Sequence, residues 1–203
     1  VTDRTQTGGR DLVGVLSQAL QAGVRAIQLR EKDLDTLEVY RLGERLLPLT
    51  RQAGAALIVN DRVDVAMALG ADGVHLTRKS LPPEEARALV GPGLFLGVSC
   101  HSLSDVREAA AGGVDFVVLG PVYATPSKAP YGPPLTPALL SQAQTACSVP
   151  ILAIGGITAS CAPDVIHAGA DGVAVISAIL AAPDPGAATR ELLDAVARAK
   201  EVQ

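Results

Sequence analysis

One short phrase occurs four times along this chain, and its spacing dictates where the strands of any fold must lie. The copies are Ala22-Gly23-Val24-Arg25-Ala26-Ile27-Gln28-Leu29, Gly70-Ala71-Asp72-Gly73-Val74-His75-Leu76, Gly113-Val114-Asp115-Phe116-Val117-Val118-Leu119 and Gly169-Ala170-Asp171-Gly172-Val173-Ala174-Val175-Ile176. In each, a glycine suited to the left-handed end of a helix precedes a turn and an apolar run rich in Val, Ile and Leu. Successive copies leave room for one further strand and two helices. That rhythm predicts an α/β fold, a (β/α)8 TIM barrel, and directs attention to the loops after the strands.

The intervening strands fall at 56–60, 94–99 and 149–154, as the third, fifth and seventh of the barrel. Helices are expected at 12–22, 37–52, 83–90, 103–111, 137–146, 162–168 and 187–200, where apolar residues recur at helical spacing and several starts carry Pro or Ser. A doubly wound open sheet also repeats βα units, but the regular units with no second domain favour the closed barrel. The whole of 1–203 is expected to be a single TIM-barrel domain lacking the start of its first strand, because Val1-Thr2-Asp3 reads as that strand's exit.

A chain of 203 residues is short for such a barrel, so its loops must be short. Charged residues make up 19% with a net charge of −4, which leaves no basic stripe for nucleic acid. Aromatic residues at 2% argue against a base-stacking platform. The three cysteines, Cys100, Cys147 and Cys161, lack metal-ligand spacing and fit a reducing cytoplasm. No apolar run is long enough for a membrane span, and no signal peptide is visible. A homodimer is compatible with the sequence.

The strand exits hold the candidate chemistry. Gly155-Gly156 and Ile176-Ser177 follow the last two strands, where TIM barrels often bind phosphate through backbone N–H groups. The bland alternative makes the glycines a tight turn and Ser177 a helix cap. Gln28, Arg30 and Lys32 continue the second strand, placing a buried amide and two cations at the mouth, a fit for phosphate or carboxylate. Asn60 and Asp61 end the third strand. Ser99-Cys100-His101 ends the fifth, with His101 a candidate acid or base and Cys100 a packing residue. The stretch 120–134 is the longest irregular one and reads as a lid carrying Thr125, Ser127 and Lys128.

At these residues the chain resembles the thiamin phosphate synthase superfamily: Gln-Leu-Arg-Glu-Lys at 28–32, Val-Asn-Asp-Arg-Val-Asp-Val-Ala at 59–66, Gly-Ala-Asp-Gly-Val-His-Leu at 70–76, Gly-Pro-Val-Tyr at 120–123, Thr-x-Ser-Lys at 125–128, Ala-Ile-Gly-Gly-Ile at 153–157 and Gly-Val-Ala-Val-Ile-Ser at 172–177. The resemblance implies that Gln28, Arg30, Lys32 and Asn60 hold a pyrimidine diphosphate and that Asp61 binds Mg2+. By the same resemblance Ser99 assists the leaving group, Thr125, Ser127 and Lys128 close the site, and Gly155, Gly156, Ile176 and Ser177 hold a thiazole phosphate.

Two departures complicate this. After the fourth strand the synthase pattern carries a second metal-binding Asp, whereas this chain reads Thr77-Arg78-Lys79-Ser80. That stretch resembles the TenI-type thiazole tautomerase branch, which works by proton transfer without metal, and Arg78 and Lys79 would bind a substrate carboxylate there. The tautomerase pattern in turn places a His where Pro121 stands, so Lys32, Asp61 or His101 would have to move the proton. The expectation favoured here is a TenI-type isomerase that needs no cofactor. The alternatives are a Mg2+-dependent thiamin phosphate synthase and a non-catalytic sensor of thiazole or thiamin phosphate.

Overall fold

The computed structural model describes residues 1–125 and 134–202. Among them, seven parallel strands lie side by side in chain order: β1 (Ala26–Leu29), β2 (Ala56–Asn60), β3 (Gly73–Leu76), β4 (Phe95–Cys100), β5 (Phe116–Leu119), β6 (Ile151–Ile154) and β7 (Gly172–Ala174). The sheet curls into a TIM-like barrel, as the repeats predict. Residues 1–2 bridge its two edges. The amino group of Val1 donates to the Val175 carbonyl at 2.9 Å, the Thr2 N–H donates to the Gln28 carbonyl at 2.9 Å, and the Arg30 N–H donates to Thr2 Oγ1 at 2.8 Å.

The helices cover the outside: α1 (Leu12–Gln21), α2 (Thr36–Ala53), α3 (Val63–Leu69), α4 (Pro83–Val90), α5 (Leu103–Ala111), α6 (Pro137–Ala146), α7 (Ala162–His167), α8 (Ser177–Leu180) and α9 (Pro185–Glu201). Two of them, α3 and α8, are absent from the sequence expectation. Outward-facing strand residues such as Leu57, Val59, Val74, Leu96, Val117 and Leu119 are completely shielded beneath these helices. Burying each such side chain is worth roughly 1.5–3 kcal/mol. The principal core therefore lies between sheet and helices.

The repeated phrase has a structural meaning at the bottom of the barrel. The Asp72 N–H donates to the Leu57 carbonyl at 2.9 Å, and the Asp72 carboxylate accepts from the Leu57 N–H at 2.7 Å. Asp115 treats Leu96 in the same way, at 2.8 and 2.7 Å, and Asp171 treats Ile151 likewise, at 2.8 Å each. Each Asp stands one residue before its strand, so its side chain supplies the rung that the backbone ladder has not yet begun to supply. Leu57, Leu96 and Ile151 are all buried, and their N–H groups need that acceptor. In the first copy Arg25 occupies this place, and only its carbonyl is used, by the Ala56 N–H.

Register fixes which side chains face inward. Asn60 aligns with His75, His75 with Gly97, and Ser99 with Val118. Polar residues thus collect at the carboxyl ends of β1 to β4.

Candidate active site

Gln28 and Asn60 meet first. The Gln28 amide donates to Asn60 Oδ1 at 2.9 Å, which satisfies one end of each half-buried amide and ties the exits of β1 and β2 together. Arg30 continues outward from Gln28 and is half-buried. Burial lowers its pKa, while the carboxylates of Asp3 and Glu31 act in the opposite direction. Glu31 points away from this row, is buried, and accepts from the Arg4 N–H at 3.0 Å. Lys32 is exposed at the rim.

Asp61 has a backbone feature the sequence did not announce, a left-handed φ of 67°. A non-glycine residue there is uncommon and costs of order 1–3 kcal/mol, a strain that clusters at functional sites. The turn is held by the Asp61 N–H, which donates to the His75 carbonyl at 2.8 Å, and it leads directly into α3. It leaves the Asp61 carboxylate exposed at the mouth, where Oδ1 accepts a short hydrogen bond from the Ser80 hydroxyl. Ser80 in turn accepts from the Thr77 N–H at 2.7 Å. Arg62, next in sequence, turns outward to an ion pair with Asp64 and takes no part. Arg78 is exposed on the Thr77–Ser80 turn.

Beneath these groups lies a pair that the sequence reading missed. His75 is 1% exposed, and its Nε2 lies 2.8 Å from Ser99 Oγ. Its Nδ1 has no partner. The ring packs against Phe116 with centroids 5.8 Å apart. Room for it is made by Gly97, where a Cβ would come within 2.8 Å of Nδ1 and within 2.2 Å of the Phe116 ring. Burial, helped by the positive charge of Arg30, pushes the His75 pKa down to about 4. The sequence signal was a histidine at an inward strand position opposite a glycine.

His101 is placed differently from a free acid or base. Its Nδ1 makes a short hydrogen bond to the Gly120 carbonyl, and its N–H donates to Asp105 at 2.8 Å. Cys100 is fully buried, and burial followed by the nearby Asp105 charge pushes its thiol up to about 12, which fits packing.

At the exits of β6 and β7, glycine is demanded by close packing. Gly155 has φ 104°, and a Cβ on it would lie 2.5 Å from Pro121 Cβ and 2.6 Å from Pro121 Cα. Gly156 has φ 65°, and its Cβ would meet Tyr123 at 2.8 Å. The Val122 and Tyr123 N–H groups donate to the Ile154 and Gly155 carbonyls at 2.8 and 3.1 Å. The segment after β5 therefore rides on the two glycines. Ile176 caps α8, and Ser177 opens it with an exposed side chain. Thr125 is half-buried at the edge of the described chain, and Ser127 and Lys128 lie outside the described residues.

No group of three or more His, Cys, Asp or Glu side chains among the described residues is arranged to hold a metal ion. The Asp61–Ser80 pair offers one carboxylate and one hydroxyl. Mg2+ commonly takes one or two carboxylates and fills the rest of its octahedron with substrate phosphate oxygens and water. This donor set therefore fits an ion that arrives on a diphosphate.

A TIM-type barrel with polar and cationic side chains gathered at its strand exits is the class of protein that fold and site define. The family follows from comparison. Residues 1–179 match the family model described as thiamine monophosphate synthase, and the chain belongs to that family. It is 48% identical over 198 residues to a thiamine-phosphate synthase of Roseiflexus castenholzii, covering 98% of this chain and 87% of the relative. It is 49% identical over 193 residues to a putative thiamine-phosphate synthase of Geobacter sulfurreducens, covering 95% and 91%. The solved thiamine phosphate pyrophosphorylase from Pyrococcus furiosus superposes with a TM-score of 0.89 at 37% identity, over 98% of this chain and 94% of that one. These relatives carry the synthase name, and they do not support the expectation of a TenI-type isomerase.

Proposed function

We propose that this protein is a thiamine-phosphate synthase, a transferase that joins hydroxymethylpyrimidine diphosphate to thiazole phosphate. The observation that carries this reading is the gathering of Gln28, Arg30, Asn60, Asp61 and Ser99 at one mouth, with Asp61 held in a strained turn that aims its carboxylate there. This reading replaces the isomerase expectation. Ser80, which stands where the synthase pattern has a metal-binding Asp, hydrogen-bonds Asp61 and keeps an oxygen beside it.

The chemistry breaks the bond between the pyrimidine methylene carbon and diphosphate, and forms a bond from the thiazole to that carbon. Arg30 and Lys32 bind the departing anion by charge, Arg with a fork of N–H groups and Lys as a point charge. The Gln28–Asn60 amide pair orients the pyrimidine, and Ser99 donates to the leaving oxygen. Mg2+, held by Asp61 with Ser80 and the diphosphate, would neutralise the charge that develops on the leaving group. The corner formed by Gly155, Gly156, Ile176 and Ser177 receives the thiazole phosphate, and the family resemblance gives Thr125, Ser127 and Lys128 a share in binding the reactants. The two substrates are small phosphorylated molecules, and 1–203 acts as a single barrel domain.

The test is incubation with both substrates and, separately, with the carboxylated thiazole tautomer alone. Thiamin phosphate in the first incubation and no isomerisation in the second supports the reading. The opposite pattern restores the isomerase.

A further inference from the structure

We infer that buried His75 is a positioning residue that fixes Ser99 as a hydrogen-bond donor toward the anion at the barrel mouth, a role that rests on the synthase reading only for the identity of that anion. His75 is 1% exposed, and the one hydrogen bond of its ring among the described residues joins Nε2 to Ser99 Oγ at 2.8 Å. Nδ1 lies beside Gly97 and the ring packs against Phe116, and neither offers an oxygen or nitrogen acceptor to Nδ1. Either neutral tautomer leaves Nδ1 without a partner, but as an N–H it would be an orphaned donor directed at C–H groups, and orphaned buried donors are rarer than orphaned lone pairs. The neutral ring therefore carries its proton on Nε2 and donates to Ser99.

The consequence falls on the serine. A hydroxyl has one hydrogen and two lone pairs. Once Oγ accepts from His75, its own hydrogen is unused, and no second partner of Ser99 occurs among the described residues. Ser99 is half-buried near the carboxyl end of β4, and Arg30 is close enough for its charge to act on His75. A serine held as acceptor on one side, in a barrel mouth that also carries Arg30, presents its hydrogen to an anion. Gly97 is part of the same device, since any side chain there would displace the ring.

The test begins with 15N-resolved NMR of the ligand-free protein. Nε2 protonated and Nδ1 bare is the expected result, with the ring signals moving in Ser99→Ala; a proton on Nδ1 overturns the inference. Calorimetric titration with inorganic pyrophosphate and Mg2+ then supplies a cycle. Ser99→Ala should weaken binding about tenfold, the loss of one hydrogen bond to a charged group. His75→Leu should do the same alone and add nothing in the Ser99→Ala background, whereas equal losses in both backgrounds overturn it. His75→Gln, whose amide reaches the Nε2 position, should bind within about threefold of wild type, and His75→Asn should not. If the NMR and pyrophosphate results hold but no thiamin phosphate forms, the synthase reading fails and this one stands.

Discussion

Replacing Asp72 by alanine tests the account of the repeated phrase. The carboxylate of Asp72 receives the Leu57 N–H at 2.7 Å, and Leu57 is completely buried. Alanine removes a hydrogen bond to a charged acceptor, worth about 1.5–3 kcal/mol, and leaves a buried backbone donor unpaired. Asp72 is itself only half-buried, so water reaches the rim and the lower part of that range, about 2 kcal/mol, is the expected loss. In a chain of this size that lowers Tm by about 4–8 °C. Urea denaturation should show a lower midpoint with an unchanged slope. Asp72→Asn keeps an acceptor oxygen and should cost about half as much. Asp171→Ala should cost less than Asp72→Ala because Asp171 is exposed, and the two losses should add within about 0.5 kcal/mol because they lie in different strand pairs. A loss below about 0.5 kcal/mol for Asp72→Ala would refute the reasoning, since the carboxylate would then be a surface charge and not a rung.

Other outcomes follow from the same geometry. Gly155→Ala should cost roughly 2–5 kcal/mol, from φ 104° together with overlap against Pro121, and should also weaken binding of thiazole phosphate. Gly54→Ala, with φ 62° and open space around it, should cost only about 1 kcal/mol, so equal losses in thermal melts would dismiss the packing argument. Because the folded-state pKa of His75 is lowered from 6.5 to about 4, the unfolded chain takes up its proton first as pH falls. Stability should therefore be lost below pH 6.5 and level off near pH 4, by about 3 kcal/mol from this group, and a folded His75→Gln variant should show a shallower slope in that window. Arg30→Lys keeps the charge and loses the fork, and its kcat should fall at least tenfold in a coupled assay.

The strands were legible because each is an apolar run bounded by glycine, and a buried parallel strand writes itself that way. Helix α3 was not, because seven residues behind Asn60-Asp61-Arg62 give too little periodicity and those three residues suggested a loop. The four residues of α8 give still less. Gln28, Arg30 and Asn60 were readable from strand alternation, since polar residues on an inward face need partners. His75 was hidden in a repeated phrase that looked structural, while exposed-sounding His101 drew attention and is held by a backbone carbonyl. The approach of Ser80 to Asp61 was not legible, because it joins the exit of β3 to the exit of β2 and only the fold brings the two loops together. The sequence shows the paired glycines but not that contact with Pro121 and Tyr123 also requires them, because those neighbours come together only in the fold.

The central claim is tested most directly by the initial rate of thiamin phosphate formation against free Mg2+, for wild type and Asp61→Asn. The wild type should form product only with Mg2+, and the variant should need far more Mg2+ and turn over at least tenfold more slowly. Product formed equally well without Mg2+, or an Asp61→Asn enzyme with an unchanged Mg2+ requirement, would contradict it.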